Sequence, residues 1–334
     1  MTANRRVLLS SRPTAVAQAS DFTIVEAAVE APEEGEILVR NTVLSVEPAM
    51  RGWTLASANY SAPVQLGSVM RALATGHVVE SRHPDYAPGD AVTGWFGWQD
   101  YARVPASAVV RKVLETDLPL SLSLGVLGIN GVTAYLALTE LGLPKAGETV
   151  LVSTAAGSVG SAVGQIAKVH GCRTVGIAGG PVKAQLCRDA FGYDAALDYK
   201  AAGWAAQLDE ACPNGVDVYF DNTAGAISDA AYPRLAVGGR VVVCGTASIQ
   251  SWDPVPTGPR VERVLLMKRA RMAGFVMFDW MHRYEETVGT LAGLVRDGRL
   301  AYREDVLEGI EACPDALAGL YRGENLGKRL IRLV

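Results

Sequence analysis

The sequence predicts a two-domain α/β protein whose larger part is a doubly wound parallel sheet, and three observations carry that expectation. In Glu148-Thr-Val-Leu-Val-Ser-Thr-Ala-Ala-Gly157-Ser-Val-Gly160-Ser-Ala-Val-Gly164 an apolar, β-branched run breaks into a glycine turn that opens a helical pattern. Downstream, short apolar runs alternate with helical stretches, the order of a parallel sheet covered by helices. The chain has 334 residues, more than one core usually supports.

Taken in order, the first 125 residues read as β-rich. Ile37-Leu-Val-Arg-Asn-Thr-Val-Leu, Gly76-His-Val-Val-Glu and Ala91-Val-Thr-Gly are separated by turns at Ala31-Pro-Glu-Glu-Gly and Ala87-Pro-Gly-Asp. Near Leu120 the pattern turns helical, through Ala134 to Leu141, and Leu143-Pro-Lys-Ala-Gly147 leads into a buried strand over 149–154. The helix after the glycine turn sets Val159, Ala162, Val163, Ile166 and Ala167 on one face. Strands follow at 173–178, 195–198 and 216–221, with a helix from about Val182, and then Arg240-Val-Val-Val-Cys-Gly-Thr. After Gly298 come a strand, a helix near 315–321 and the closing run Lys328-Arg-Leu-Ile-Arg-Leu-Val, too short to fold alone and expected to return to the first domain.

The glycine turn predicts a dinucleotide site. Gly157 lets the backbone approach a pyrophosphate, Gly160 lets the helix pack closely on its strand, and the free amides of the helix start face the phosphates. The full fingerprint has a glycine where this chain has Ala155, so the pattern is A-x-G-x-x-G. About 20 residues on, where NAD sites carry an acidic residue for the ribose, the chain has Ala178-Gly179-Gly180 and then Lys183. No carboxylate repels a 2′-phosphate there, so NADPH is expected over NADH, with Lys183 either its ligand or an ordinary exposed lysine. The expected domains are 1–125 (β-rich), 126–298 (dinucleotide-binding) and 299–334 (return segment).

Composition sets limits on partners. Hydrophobic residues make up 49% and charged residues 20%, an ordinary globular profile, and a formal net charge of −4 argues against nucleic acid or an anionic membrane as main partner. The apolar run after Arg5-Arg6 is too short for a signal-peptide core, so a cytoplasmic protein is expected. Five scattered cysteines (Cys172, Cys187, Cys212, Cys244, Cys313) lack a C-x-x-C pair and read as reduced, packed thiols. A catalytic zinc needs three protein ligands, and of the histidines only His77 is plausibly placed, so no metal is expected.

Several further runs narrow the reading. Leu44-Ser-Val-Glu-Pro-Ala-Met-Arg51, Tyr60-Ser-Ala-Pro-Val-Gln-Leu-Gly, His83-Pro-Asp-Tyr-Ala-Pro-Gly-Asp90, Gly97-Trp-Gln-Asp-Tyr101, Gly131-Val-Thr-Ala-Tyr135, Gly164-Gln-Ile-Ala-Lys168, Tyr219-Phe-Asp-Asn222 and Gly323-Glu-Asn-Leu-Gly327 span the whole chain. Together they resemble the zinc-independent branch of the medium-chain dehydrogenase/reductase superfamily that includes prostaglandin reductases, plant double-bond reductases and bacterial curcumin reductase. The resemblance implies a Rossmann sheet joined to a GroES-like, β-rich substrate domain, and a homodimer. It also implies cofactor contacts from Gly157, Ser158, Val159 and Gly160 at the phosphates, and from Lys183 and Tyr199 at the 2′-phosphate. Asn222, Cys244, Gly245, Thr246, Ser248, Phe275, Val276, Met277 and Asn325 are implied further along the cofactor.

The implied reaction is NADPH-dependent reduction of a carbon–carbon double bond conjugated to a carbonyl. Hydride reaches the β-carbon, charge builds on the carbonyl oxygen, and a donor must stabilise it. The chain departs from the resemblance at two tyrosines, which here are Ala49 and Gln250, with Trp252 two residues on. Tyr60 is the first choice for the substrate-side hydroxyl and Gln250 the second, while Ala49, Tyr60 and Trp252 would line a pocket enlarged for bulkier enones or enals. Quinone reduction, or NADPH binding without turnover, stands as the alternative.

Overall fold

The computed structural model describes residues 3–56, 60–249, 251–252 and 254–333. The chain divides into two compact units, Met1–Gly125 with Glu304–Val334, and Val126–Arg303.

In the first unit β1 (Ala3–Leu9) and β2 (Phe22–Ala28) pair as an antiparallel ribbon. A seven-stranded sheet contains β3 (Glu36–Ser45), β4 (Ala74–Ser81), β5 (Ala91–Gly94), β6 (Tyr101–Pro105), β7 (Val109–Lys112), β14 (Glu304–Glu308) and β15 (Lys328–Arg332). Its order is β14-β15-β3-β4-β5-β7, with β6 on β3. The run that begins at Ile37 buries Ile37, Val39 and Leu44 with Val7, Trp98 and Ile331 in one core. Helix α1 (Met50–Thr54) follows β3, and α9 (Cys313–Arg322) buries Leu317 in the same core.

The last strand is tied in by a buried charge. Lys328 is 4% exposed, and its ammonium donates to Ser45 Oγ at 2.7 Å, the Val46 carbonyl at 3.0 Å and Glu47 Oε1 at 2.8 Å. Three acceptors match the three donors of an ammonium, which is what makes burial of that charge tolerable. The turn at Pro48 and Ala49 is thereby fixed from both ends of the chain.

The second unit is a six-stranded parallel sheet in the order β10-β9-β8-β11-β12-β13, formed by β8 (Thr149–Ser153), β9 (Arg173–Ala178), β10 (Ala195–Asp198), β11 (Val216–Asp221), β12 (Leu235–Val243) and β13 (Arg271–Gly274). From β8 the chain winds one way through β9 and β10 and then the other way through β11 to β13. The reversal between β8 and β11 is where open α/β sheets bind ligands, outside the strand carboxyl ends. All five residues of β8 are buried, as its near-continuous apolar run requires of a central strand.

Helices α2 (Ile129–Leu136), α3 (Ser158–Val169), α4 (Pro181–Asp189), α5 (Trp204–Ala211), α6 (Gly225–Ala231), α7 (Glu262–Lys268) and α8 (Tyr284–Arg296) complete this unit. On α3, Ala162, Val163, Ile166 and Ala167 are buried as the periodicity predicts, while Val159 stays half-buried at the open end. The helical stretch expected from near Leu120 through Leu141 is a short 3-10 segment at Leu120–Leu124 and then α2, which begins at Ile129 and continues with i to i+5 bonding over Ala137–Gly142 until Leu143, at φ +46°, stops it. Residues 299–303 stay with this unit, where the Ala301 amide donates to Gln165 Oε1 at 2.7 Å and its carbonyl accepts from Gln165 Nε2 at 2.9 Å.

Candidate cofactor and substrate sites

The cofactor candidates assemble at the carboxyl ends of the parallel strands. Gly157 is the N-cap of α3 and no side chain caps the helix, so the amides of Ser158, Val159 and Gly160 have no acceptor within it. A Cβ on Gly157 would lie 2.9 Å from Thr154 Cγ2, and one on Gly160 only 2.3 Å from the Thr154 carbonyl oxygen. The turn is therefore packed against its own helix start, and what remains open there is backbone N–H, the donor set for a pyrophosphate. Alanine at 155 is accommodated because the left-handed residue of this turn is Thr154, at φ +54°. Ala155 is fully buried and packs toward Gly176, where a Cβ would lie 2.7 Å from its own.

At the ends of β9 and β10, Lys183 is the third residue of α4 and is half-buried. Tyr199 is 39% exposed, and its ring lies 3.0 Å from where a Gly179 Cβ would stand. A carboxylate that the sequence reading did not weigh occurs nearby. Asp198 accepts the Gly180 amide at 2.7 Å and the Lys200 amide at 2.9 Å, which engages one of its oxygens within the loop. Pro181 lacks an N–H, so the anion-facing groups of this helix start are the amides of Val182 and Lys183, with the Lys183 ammonium as the cation of its first turn.

The end of β11 is organised by Asp221, which no sequence motif singled out. Its carboxylate is 1% exposed and accepts the amides of Thr223 and Ala224, both at 2.9 Å, the Ser228 hydroxyl at 2.6 Å and the Tyr219 hydroxyl at 3.1 Å. Burial, with Asp221 adding to it, pushes the Tyr219 phenol well above its ordinary value. These bonds hold a turn in which Ala224 sits at φ +58° and ψ −163°, a region normally restricted to glycine. Asn222 is fixed inward, its side-chain amide donating to the Ser153 carbonyl at 2.7 Å.

Beside it, Cys244 and Gly245 donate their amides to the Asp221 carbonyl at 2.8 and 3.1 Å. The Ser248 hydroxyl donates to the Thr223 and Ala224 carbonyls at 2.7 and 2.9 Å, and Thr246 accepts the Ile249 amide at 3.0 Å. Burial, and then Asp221, pushes the half-buried Cys244 thiol up to about 12, which disfavours its thiolate. After β13, Phe275 and Met277 are buried and Val276 half-buried, with Phe275 stacked on Trp280 at 5.8 Å.

The substrate-side candidates divide between the units. In the first, Ala49 is half-buried at the start of α1, Tyr60 is 58% exposed, and Asn325 donates to the Gly327 carbonyl at 2.8 Å ahead of β15. Arg71 holds the segment after Tyr60, donating to Ser61 Oγ at 2.6 Å and the Ala62 carbonyl at 2.9 Å. Trp252 belongs to the second unit and is 60% exposed. Gln250 lies outside the described residues. Among the described residues no three His, Cys, Asp or Glu side chains gather into a metal-ligand set, and His77 is an exposed residue of β4.

Two family models match the chain, one described as the N-terminal domain of oxidoreductase over residues 5–112, the other as zinc-binding dehydrogenase over residues 158–293. The chain is 41% identical to the NADPH-dependent curcumin reductase of Escherichia coli K12, over 99% of this chain and 97% of that protein. It is 36% identical to the NADP(+)-dependent 2-alkenal reductase of Nicotiana tabacum, over 98% and 97%. Among solved structures, CurA of Vibrio vulnificus in complex with NADPH superposes with a TM-score of 0.93 at 38% identity, covering 99% of both chains. Identity at this level from end to end, on the same pairing of a β-rich unit with a parallel sheet, means that the chain belongs to the medium-chain dehydrogenase/reductase family.

Proposed function

We propose that the protein reduces the carbon–carbon double bond of α,β-unsaturated ketones and aldehydes with NADPH. The observation that carries this reading is the full-length, 41% identity to an NADPH-dependent curcumin reductase, joined by the 2-alkenal reductase. Curcumin and 2-alkenals share a double bond conjugated to a carbonyl, and that shared group is the substrate class. The uncapped start of α3, the glycines whose Cβ atoms would collide with Thr154 and the cation on α4 fit a dinucleotide with a 2′-phosphate.

When bound, NADPH supplies the hydride. The amides of Ser158, Val159 and Gly160 bind the pyrophosphate, Lys183 and Tyr199 hold the adenosine end, and Asn222, the 244–248 loop, Phe275 to Met277 and Asn325 position the remainder. On the substrate side Tyr60 donates to the carbonyl oxygen as charge builds there, with Gln250 as a companion amide donor. Ala49 and Trp252 are the positions that the resemblance implies for substrate contact, one in each unit. The α-carbon takes its proton from solvent, and the protonated phenol persists through the cycle. The expected setting is the cytoplasm and the expected assembly a homodimer, both carried by the family resemblance; among the described residues no helix is long and apolar enough to cross a membrane.

The test is a panel of enones, enals and quinones followed by loss of NADPH absorbance, with the product checked for a saturated carbonyl. Turnover of enones to saturated ketones is the expected result. Turnover of quinones alone, with enones untouched, overturns it.

A further inference from the structure

We propose that Tyr321, a residue of α9, is a second substrate-side hydroxyl, acting with Tyr60 on the carbonyl oxygen of the substrate. The inference rests on the double-bond reductase reading and on the Pro48–Arg51 turn as part of the substrate pocket. Tyr321 comes from the far end of the chain, yet its hydroxyl reaches that turn and donates to the Pro48 carbonyl at 2.9 Å, in a bond open to solvent. Its ring is held from the other side by the Arg51 guanidinium, 4.8 Å from the ring centre, and packs against the same core as Ala49.

Tyr60 belongs to the same unit and makes a minor electrostatic contribution at the Tyr321 phenol. Burial is the largest cause and pushes Tyr321 up to about 12 against the Arg51 guanidinium, which lowers it, so the phenol stays a protonated donor at every working pH. The two phenols differ in how firmly they are held. Tyr60 is 58% exposed, whereas Tyr321 is half-buried on a helix and clamped by Arg51 and Pro48. A donor fixed before the reaction loses less on meeting developing charge than one that must be ordered then.

The existing bond can also be given up. The Pro48 carbonyl accepts the Arg51 amide at 3.2 Å as well, so turning the Tyr321 hydroxyl toward a substrate oxygen leaves no orphaned carbonyl behind. The hydroxyl keeps its proton. NADPH, when bound, would supply the hydride for the β-carbon and leave as NADP+; the double-bond pair shifts into the bond between the α-carbon and the carbonyl carbon, the carbonyl π pair goes to the oxygen that the phenols face, and water protonates the α-carbon as the carbonyl is restored.

The experiment compares wild type, Tyr321→Phe, Tyr60→Phe and the double variant with benzalacetone as the enone. Tyr321→Phe keeps the ring and its packing and removes only the hydroxyl. We expect kcat to fall about 10- to 100-fold with the Kd for NADPH unchanged, and the Kd of benzalacetone for the NADP+-loaded enzyme, where no turnover occurs, to rise less than kcat falls. If both phenols reach one oxygen, the double variant loses less than the product of the two single losses. Wild-type kcat and wild-type benzalacetone affinity in folded Tyr321→Phe overturn the proposal, as does a multiplicative double variant. Failure of the wild-type protein to reduce any enone is a separate result that overturns the reaction itself.

Discussion

At the residue scale, cofactor choice turns on Lys183. Replacing it with alanine removes a charge-assisted hydrogen bond worth roughly 1.5–3 kcal/mol, so NADPH should bind about 10- to 100-fold more weakly while NADH changes little. Titration of both cofactors by fluorescence checks this, and equal losses for the two would remove Lys183 from the 2′-phosphate site. A second prediction concerns Ala224, whose φ of +58° with ψ of −163° strains a side-chain-bearing residue. Ala224→Gly relieves that strain and should stabilise the protein by about 1 kcal/mol in urea unfolding, the gain being trimmed by the entropy of a more flexible unfolded chain. The legibility of the site follows from such details. Gly157, Gly160 and Lys183 could be read because spacing along one turn and one helix start defines them. Asp221 could not, since its partners are two backbone amides and the hydroxyls of Ser153, Tyr219, Thr223 and Ser228, which carry no motif, and Tyr321 could not, since its acceptor Pro48 is 273 residues away.

At the element scale, the alternation of runs was legible because a parallel strand buried on both faces reads as a continuous apolar segment and its helix as a stripe. The sequence did not explain Gly164, which lies beyond the phosphate turn. The structure does: Tyr193, from the segment before β10, lies across α3, and a Cβ on Gly164 would stand 2.2 Å from its ring. The same tyrosine donates to the Gly160 carbonyl at 2.6 Å, so it locks the helix that presents the phosphate-binding amides. Gly164→Ala should overpack this contact and cost about 1–3 kcal/mol of stability, seen as a lower denaturant midpoint at unchanged slope. Unchanged stability would mean that Tyr193 moves aside freely, and the rigid placement of α3 would then need another source. The widened last turn over Ala137–Gly142 was out of reach for the opposite reason, because helix-compatible residues say nothing of a shift from i+4 to i+5 bonding.

At the scale of the whole molecule, the chain ends where it began, and the first unit is closed by β14 and β15 returning to β3. Two ionisable groups on those returning strands are withdrawn from water at that closure, Lys328 buried and Glu304 half-buried. Burial lowers Lys328, against the pull of Glu47, while Glu304, with Ser121 donating to one oxygen at 2.9 Å and its other oxygen without a hydrogen-bond partner, is raised by burial above the ordinary carboxylate value. The groups facing Glu304 are the Ser121 hydroxyl and the cations Lys328 and Arg332, which oppose that rise without cancelling it. A carboxyl that holds its proton more tightly when folded contributes most below its unfolded pKa, where both states are protonated. As pH rises past that value the unfolded chain releases its proton first, so the contribution is lost through the window up to the folded pKa and stays lost at neutral pH. Glu304→Gln keeps the shape, accepts the Ser121 hydroxyl through its carbonyl and removes the ionisation. The expected outcome is a higher thermal midpoint than wild type near pH 7, with the difference shrinking toward zero as the pH falls to about 4, close to the unfolded glutamate value. Thermal unfolding of both proteins across that range decides it. A difference that does not change with pH would mean that Glu304 titrates alike in the folded and unfolded chain, and a variant that is less stable than wild type near pH 7 but gains on it as the pH falls would mean that the carboxylate is ionised and paired with Lys328, so that the closure of the chain would rest on a second ion pair beside that of Lys328 with Glu47.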